Sequence, residues 1–324
     1  NKRSRASTQR AATSALAADA TWTNTANGAW TNPAMWNPGA APGSTNVTTS
    51  PDTAYFNDLT ISNITVTVDN NRNISNIVVS NAGAFSYTIG AGSFKLTSGG
   101  SLQLTTASNN LAISPPIIIQ GDGGTAAFTV NATSAFGLRL SGAVSGASTA
   151  GNTTTITLNG TSTSAQNYIS SVISDGTNGG KVALVKDGSG TWQLQTGTAT
   201  NTFSGGVTIN AGTLNIAKAS ALGTGTLTIN SGTLAGGLSG GTNTISGTVI
   251  NGDFTSAITS AMSLGTGTVS LGTAAGTTRA ITGSTSQLAF DGTIIDGTTA
   301  NKLATVGNNN NWALNASNSF TGGA

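Results

Sequence analysis

Carboxylates are the only side chains in this sequence with an obvious claim to chemistry. His and Cys are absent, and all ten acidic residues are Asp. Without imidazole or thiol there is no usual general base, no Ser or Cys triad and no common zinc ligand set. What remains is the chemistry of glycosidases and polysaccharide lyases, which use Asp clusters with or without Lys, Arg or Ca²⁺. Five Asp stand directly before Gly: Asp122, Asp175, Asp187, Asp291 and Asp296. Asp-Gly is also a turn signal, because Asp bonds nearby backbone and Gly accepts positive φ, and the turn reading takes precedence. Asp291 and Asp296 form the one local pair. Their spacing places them on opposite faces of a straight strand, so only a corner between them could bring the carboxylates together. They stand as minor catalytic candidates, and the expectation is no enzyme, no cofactor and no metal site.

One other motif suggests chemistry and fails. Gly176-Thr-Asn-Gly-Gly-Lys181 approaches a phosphate-binding loop, but the leading Gly has the wrong spacing and Val182 replaces the required Ser or Thr. Lys181 reads as a solvated strand edge.

The elements that carry these residues follow from composition. Charged residues are 7% of the chain and Glu is missing, while Gly numbers 44 among abundant Thr, Ser and Asn. Such residues favour strands and turns over helices. Disorder is not expected either: the net charge is only +2, Pro numbers six, and Val, Ile and Thr recur at short intervals. Four of the twelve cations (Lys2, Arg3, Arg5 and Arg10) lie in the first ten residues, which leaves eight against ten Asp in the body. A nucleic-acid reader needs basic side chains along one face, so no nucleic-acid partner is expected. No apolar run approaches the roughly 20 residues that span a bilayer, so membrane insertion by this segment is not expected.

Internal repeats decide the fold. Val207-Thr-Ile-Asn-Ala-Gly-Thr-Leu214 matches Leu227-Thr-Ile-Asn-Ser-Gly-Thr-Leu234 position for position. A longer echo joins Trp192-Gln-Leu and Thr202-Phe-Ser-Gly-Gly206 to Trp312-Ala-Leu and Ser319-Phe-Thr-Gly-Gly323. Within a unit, Val207 and Ile209 alternate with Thr208, Asn210-Ala211-Gly212 supplies a sharp bend, and Leu214 and Ile216 alternate with Asn215. Two such short strands cannot bury an apolar face alone, but they can when stacked on a copy of themselves. The expected core stacks are Val207 on Leu227, Ile209 on Ile229 and Leu214 on Leu234. Thr208 and Thr228 should form an outward row, and Asn210 over Asn230 a corner ladder of amides. Applying one period to residues 58–324 gives roughly 13 coils and a rod of about 65 Å. Trp192 and Trp312 hold corresponding positions in the longer echo, which points to core or groove packing.

These residues resemble the autotransporter-associated β-strand repeat, also called the passenger-associated transport repeat. The resemblance is carried by Asp175-Gly176, Leu184-Val-Lys186, Gly188-Ser-Gly-Thr-Trp-Gln-Leu194, Asn201-Thr-Phe-Ser-Gly-Gly206 and Thr208 to Leu214, with a weaker copy from Asp296 to Gly323. It implies an all-β, right-handed parallel β-helix (β-solenoid) exported across the outer membrane.

The organisation read from the chain has three parts. Residues 1–21 form a basic leader or linker, with a processed signal as the alternative. Residues 22–57 hold Trp22, Trp30 and Trp36 with four of the six Pro, and read as an aromatic, Pro-rich N-terminal cap on the open coil end, with a sugar-stacking Trp surface as the rival reading. Residues 58–324 form the β-helix, clearest at 181–234 and 296–323, and expected either to continue past Ala324 or to be covered there by a partner molecule. The function expected is a non-catalytic structural or adhesive rod, secreted or on the outer surface of a bacterium, meeting surface glycans or neighbouring copies of itself. The alternatives are a self-assembling extracellular filament subunit and a carbohydrate-active β-helix enzyme.

Overall fold

The computed structural model describes residues 19–57, 62–80, 83, 85–106, 109–121, 123–194, 200–283, 286–298, 300–307 and 311–322. Short strands with period-two alternation build it. Ile64–Thr67 buries Ile64 and Val66 and turns Thr65 and Thr67 outward, and Val207–Ile209 buries Val207 and Ile209 around an outward Thr208. Each strand thus has one face for an interior and one for solvent. The apolar faces meet in one continuous core of Ile, Leu, Val and Phe running the length of the stack.

Strands pair into sheets of 16 and 14, almost entirely in parallel. The larger sheet forks at Phe94–Leu104. Residues 94–97 pair with Ile117–Gln120, while residues 101–104 pair with the end of Ala126–Ala132. One strand can serve two neighbours only by bending. The bend lies at Gly99, with φ 84°, and at Gly100, where a Cβ would sit 2.0 Å from the Ser75 carbonyl oxygen. Only Gly fits so close an approach.

Each coil therefore has three sides. The first runs through Ile117–Gln120, Val144–Gly146 and Ile173–Ser174. The second runs through Thr153–Asn159, Lys181–Lys186, Val207–Ile209 and Thr226–Ile229. The third runs through Tyr168–Ile169, Thr191–Leu194, Thr213–Ile216 and Thr233–Thr242. The chain is a parallel β-solenoid.

Coil length differs from the uniform period expected. Bonds between neighbouring coils span 20 residues from Asn230 to Asn210, but 28 from Ile173 to Asn201 and 30 from Ser170 to Leu140. Extra residues sit in the corners between strands, for example at 160–167. The stack consequently has about ten turns rather than thirteen. At roughly 4.8 Å per turn it is about 50 Å long.

At the N-terminal end, Ala20–Trp22 pairs in parallel with Thr53–Phe56 and antiparallel with Trp36–Asn37, a reversal that occupies the outer strand edge. Trp22, Trp30 and Trp36 are buried and converge on Phe56. Trp30 and Trp36 lie 4.9 Å apart, and Trp30 also meets Phe94 at 5.5 Å. Their indole N–H groups are satisfied: Trp30 donates to the Pro42 carbonyl and Trp36 to the Trp30 carbonyl. Over the first side, Ser44 bridges Asn73 in antiparallel fashion. The Arg72 guanidinium, paired with Asp69, donates to the Gly43 carbonyl.

Candidate functional site

Among the described residues, the Asp side chains at the corners already accept hydrogen bonds. Asp175 accepts the backbone N–H of Val182 at 2.7 Å, the N–H of Ser204 at 2.9 Å and the Ser204 hydroxyl at 2.7 Å. Asp296 repeats this arrangement with Asn301 N–H at 3.1 Å, Thr321 N–H at 2.9 Å and the Thr321 hydroxyl at 2.7 Å. Each carboxylate ties its own turn to a hydroxyl in the next coil. Asp291 accepts from the Ser263 hydroxyl and from the Asn315 amide, and shares no partner with Asp296. Ser263, then Asn315, holds Asp291 below its ordinary carboxylate value. The Thr321 hydroxyl does the same for Asp296. Both are stabilised as anions that accept hydrogen bonds, the wrong poise for a general acid. Asp187 accepts the Gly188 N–H at 2.9 Å. Asp122 lies outside the described residues. Lys181 is exposed at the start of its strand.

Two cations point inward instead. Val182, Leu184 and Lys186 alternate with outward residues, so strand parity places Lys186 in the core, where its exposure is 0%. Its ammonium donates to the carbonyls of Asp187 at 2.7 Å, Gly188 at 2.8 Å and Ala211 at 3.0 Å, using all three N–H groups. Desolvation lowers its pKa to about 8, and the charge of Asp187 opposes that shift. Arg279, buried beside Ile281, donates through Nε to the carbonyls of Ile250 and Leu271. Buried amides do similar work. Asn301 bridges the Thr277 N–H to the carbonyls of Leu271 and Asp296, and Asn201 links the Ile173 N–H to the Ala221 carbonyl. Corners leave main-chain groups without ladder partners, and these inward side chains satisfy them.

The stacked positions lie as follows. Val207 faces Leu227, Ile209 faces Ile229, and Leu214 faces Leu234, all buried. Thr208 faces Thr228 on the outside. Asn230 donates to the Asn210 side-chain oxygen at 2.7 Å, and Asn251 donates to that of Asn230 at 2.9 Å, so the amide ladder runs one rung beyond the pair read from the sequence.

The aromatic echo requires a correction. Trp192 is buried on the third side, beside Leu214, and donates to the Asn159 carbonyl. Trp312 is half-buried on a strand paired with Leu288, itself paired with Met262. The two Trp therefore occupy different sides of the coil. Unequal corner lengths between them have moved the repeat out of phase by one side, so similar sequence does not mean the same place on the rod.

Sequence reasoning missed the inward roles of Lys186 and Arg279. The signal was present, because each falls on the buried parity of its own strand. The buried Asn at 201 and 301 carry no such signal, since their partners lie in neighbouring coils of variable length.

Fold and corners together define a parallel β-solenoid in which Lys186, Arg279, Asn201 and Asn301 hold neighbouring coils together from the inside. Residues 184–216 match the family of the Passenger-associated-transport-repeat, and a β-solenoid carrying that repeat fits an autotransporter-associated repeat protein. The matched stretch contains Lys186 and the first rung of each stack at Val207, Ile209, Asn210 and Leu214. No curated protein and no solved structure matches the chain.

Proposed function

We propose that this chain is part of an autotransporter-like passenger, a non-catalytic rod that sits at or beyond the outer surface of a bacterium and acts as scaffold or adhesin. The carrying observation is the repeat match at 184–216 within a solenoid whose ionisable corner groups are already engaged. In such a rod, function falls to what faces outward, and that is rows of Thr, Ser and Asn. The engaged, low-pKa state of Asp291 and Asp296 favours this reading over a carbohydrate-active enzyme.

The test places the chain between an export signal and a heterologous translocator barrel in a bacterial host. The expected result is protease-accessible protein on intact cells, together with increased cell adhesion or clumping relative to the empty barrel. Chain retained in the periplasm, or release of sugars from a polysaccharide panel by the purified protein, would count against the proposal.

A further inference from the structure

One groove combines an open trough with hydroxyl groups that the fold does not use. It lies on the outside where the second side turns into the third, has a volume of about 470 Å³, and crosses successive coils from Ser189 to Thr282. One wall is a threonine column. Thr191 pairs with Thr213, Thr213 with Thr233, Thr233 with Thr255 and Thr255 with Thr282. Four steps of roughly 4.8 Å make the column about 19 Å long. The floor contains Gly212 and Gly232, whose φ values of 66° and 87° suit a residue without a side chain. A Cβ at Gly212 would lie 2.4 Å from the carbonyl oxygens of Gly188 and Gly190, and one at Gly232 would lie 2.7 Å from that of Gly212, so the coils stack this closely here only on Gly. The opposite wall is formed by Ser189, Ser231 and Asp253.

At several other corners the hydroxyls are bonded within the protein: Ser204 to Asp175, Thr226 with Ser246, Thr244 to Gly223 and Thr298 to Thr273. In the groove, no hydroxyl of the five Thr, of Ser189 or of Ser231 bonds to another described residue. Asp253 gives one carboxylate oxygen to the Ala280 N–H and leaves the other to solvent. Thr208 and Thr228 also have free hydroxyls, but they stand on a flat strand face away from this groove.

We infer that this trough binds an extended neutral polysaccharide lying along the rod axis. Paired hydroxyls on both walls can each donate and accept, as sugar hydroxyls do. A straight column at the coil spacing suits a chain ligand better than a compact one. The exposed carboxylate of Asp253 and the absence of any Lys or Arg from the lining disfavour a polyanion. The inference rests on the reading of the chain as an outward-facing adhesive rod, and names the partner of that surface.

The test measures binding of the purified full chain to soluble neutral glucans, mannans and galactans, and to a sulfated glycan, by titration calorimetry. Thr213→Val/Thr233→Val keeps shape and burial while deleting two hydroxyls, and should weaken binding about tenfold, the loss of two neutral hydrogen bonds. Thr208→Val/Thr228→Val should leave affinity unchanged, and circular dichroism should show both variants folded. Equal affinity in the Thr213/Thr233 variant, failure of every neutral polysaccharide to bind, or preference for the sulfated glycan would overturn the inference. So would sedimentation showing that the trough instead joins two copies of the chain, an association abolished by Thr213→Val/Thr233→Val. None of these outcomes bears on surface exposure in the display assay, so the two readings fail separately.

Discussion

Lys186 and Ala211 belong to successive coils, and the Lys186 ammonium reaches the Ala211 carbonyl at 3.0 Å while holding the carbonyls of Asp187 and Gly188 in its own coil. One buried cation therefore fastens two corners. A parallel solenoid has ladders along its sides but gaps at its bends, and a Lys with three donors fills three acceptor positions at once.

Replacing Lys186 with Met keeps the volume and removes the donors. Three carbonyls at a buried corner would lose their partner, at about 1–3 kcal/mol for a group left unsatisfied, offset in part by no longer burying a charge. The expected net loss is about 2 kcal/mol in urea denaturation, with faster amide exchange at 207–216. Wild-type stability in Lys186→Met would show that the ammonium is dispensable.

The same residue gives a pH signature. Its folded value of about 8 lies below the unfolded 10.5, so between these limits the unfolded chain holds more protons. Stability then rises with pH across that window, because the desolvation cost present below pH 8 is relieved as the folded form loses its proton. Subtracting the Lys186→Met profile from the wild-type profile isolates this contribution. A difference that stays flat from pH 8 to 10 would contradict the burial effect.

Asp296 gives the opposite dependence. Its value is lowered from 3.8, chiefly by the Thr321 hydroxyl, so its contribution is present above the unfolded value and lost as pH falls through the lower folded one. Asp296→Asn cannot accept from the Thr321 hydroxyl and two backbone N–H groups in the same way. Thermal melts between pH 2 and 6 should show a shallower acid decline in Asp296→Asn than in the wild type. Identical slopes would mean that the latch carries no proton-linked stability.

What could be read from the sequence divides along the same physical line. Strand alternation is local, so the inward set Val207, Ile209 and Leu214 and their partners one coil on follow from period two and a clean 20-residue repeat. Corner chemistry is not local. Asp175 meets Ser204 and Asp296 meets Thr321 across 29 and 25 residues, distances fixed by how many residues each bend absorbs. The same variability reduced thirteen expected turns to about ten and placed Trp312 on a different side from Trp192. Lys186 was legible by parity, yet a charged residue on a buried position makes sense only once the three carbonyls around it are seen.

The amide ladder is cooperative by construction. Asn230 both donates to Asn210 and accepts from Asn251, so Asn230→Ala breaks two bonds and Asn210→Ala only one. At about 1 kcal/mol per exposed neutral hydrogen bond, the expected losses are roughly 2 and 1 kcal/mol. The double variant should cost less than their sum, because both single changes remove the same bond. Strict additivity in denaturation would show that the side chains are adjacent without being coupled.

The N-terminal Trp cluster bears on how the stack begins. Trp30 is fully buried against Trp36, Phe56 and Phe94, and its N–H is taken by the Pro42 carbonyl. It thus joins the Pro-rich segment to the first coils. Trp30→Ala would leave a large void and a lost ring network, worth about 3–5 kcal/mol. Because each coil in a solenoid depends mainly on its neighbours, the loss should be local. Hydrogen exchange should quicken in Ala20–Trp22, Thr53–Phe56 and Ile64–Thr67 while Val207–Ile209 stays protected. Uniform loss of protection along the rod would instead mean that the coils unfold as one unit.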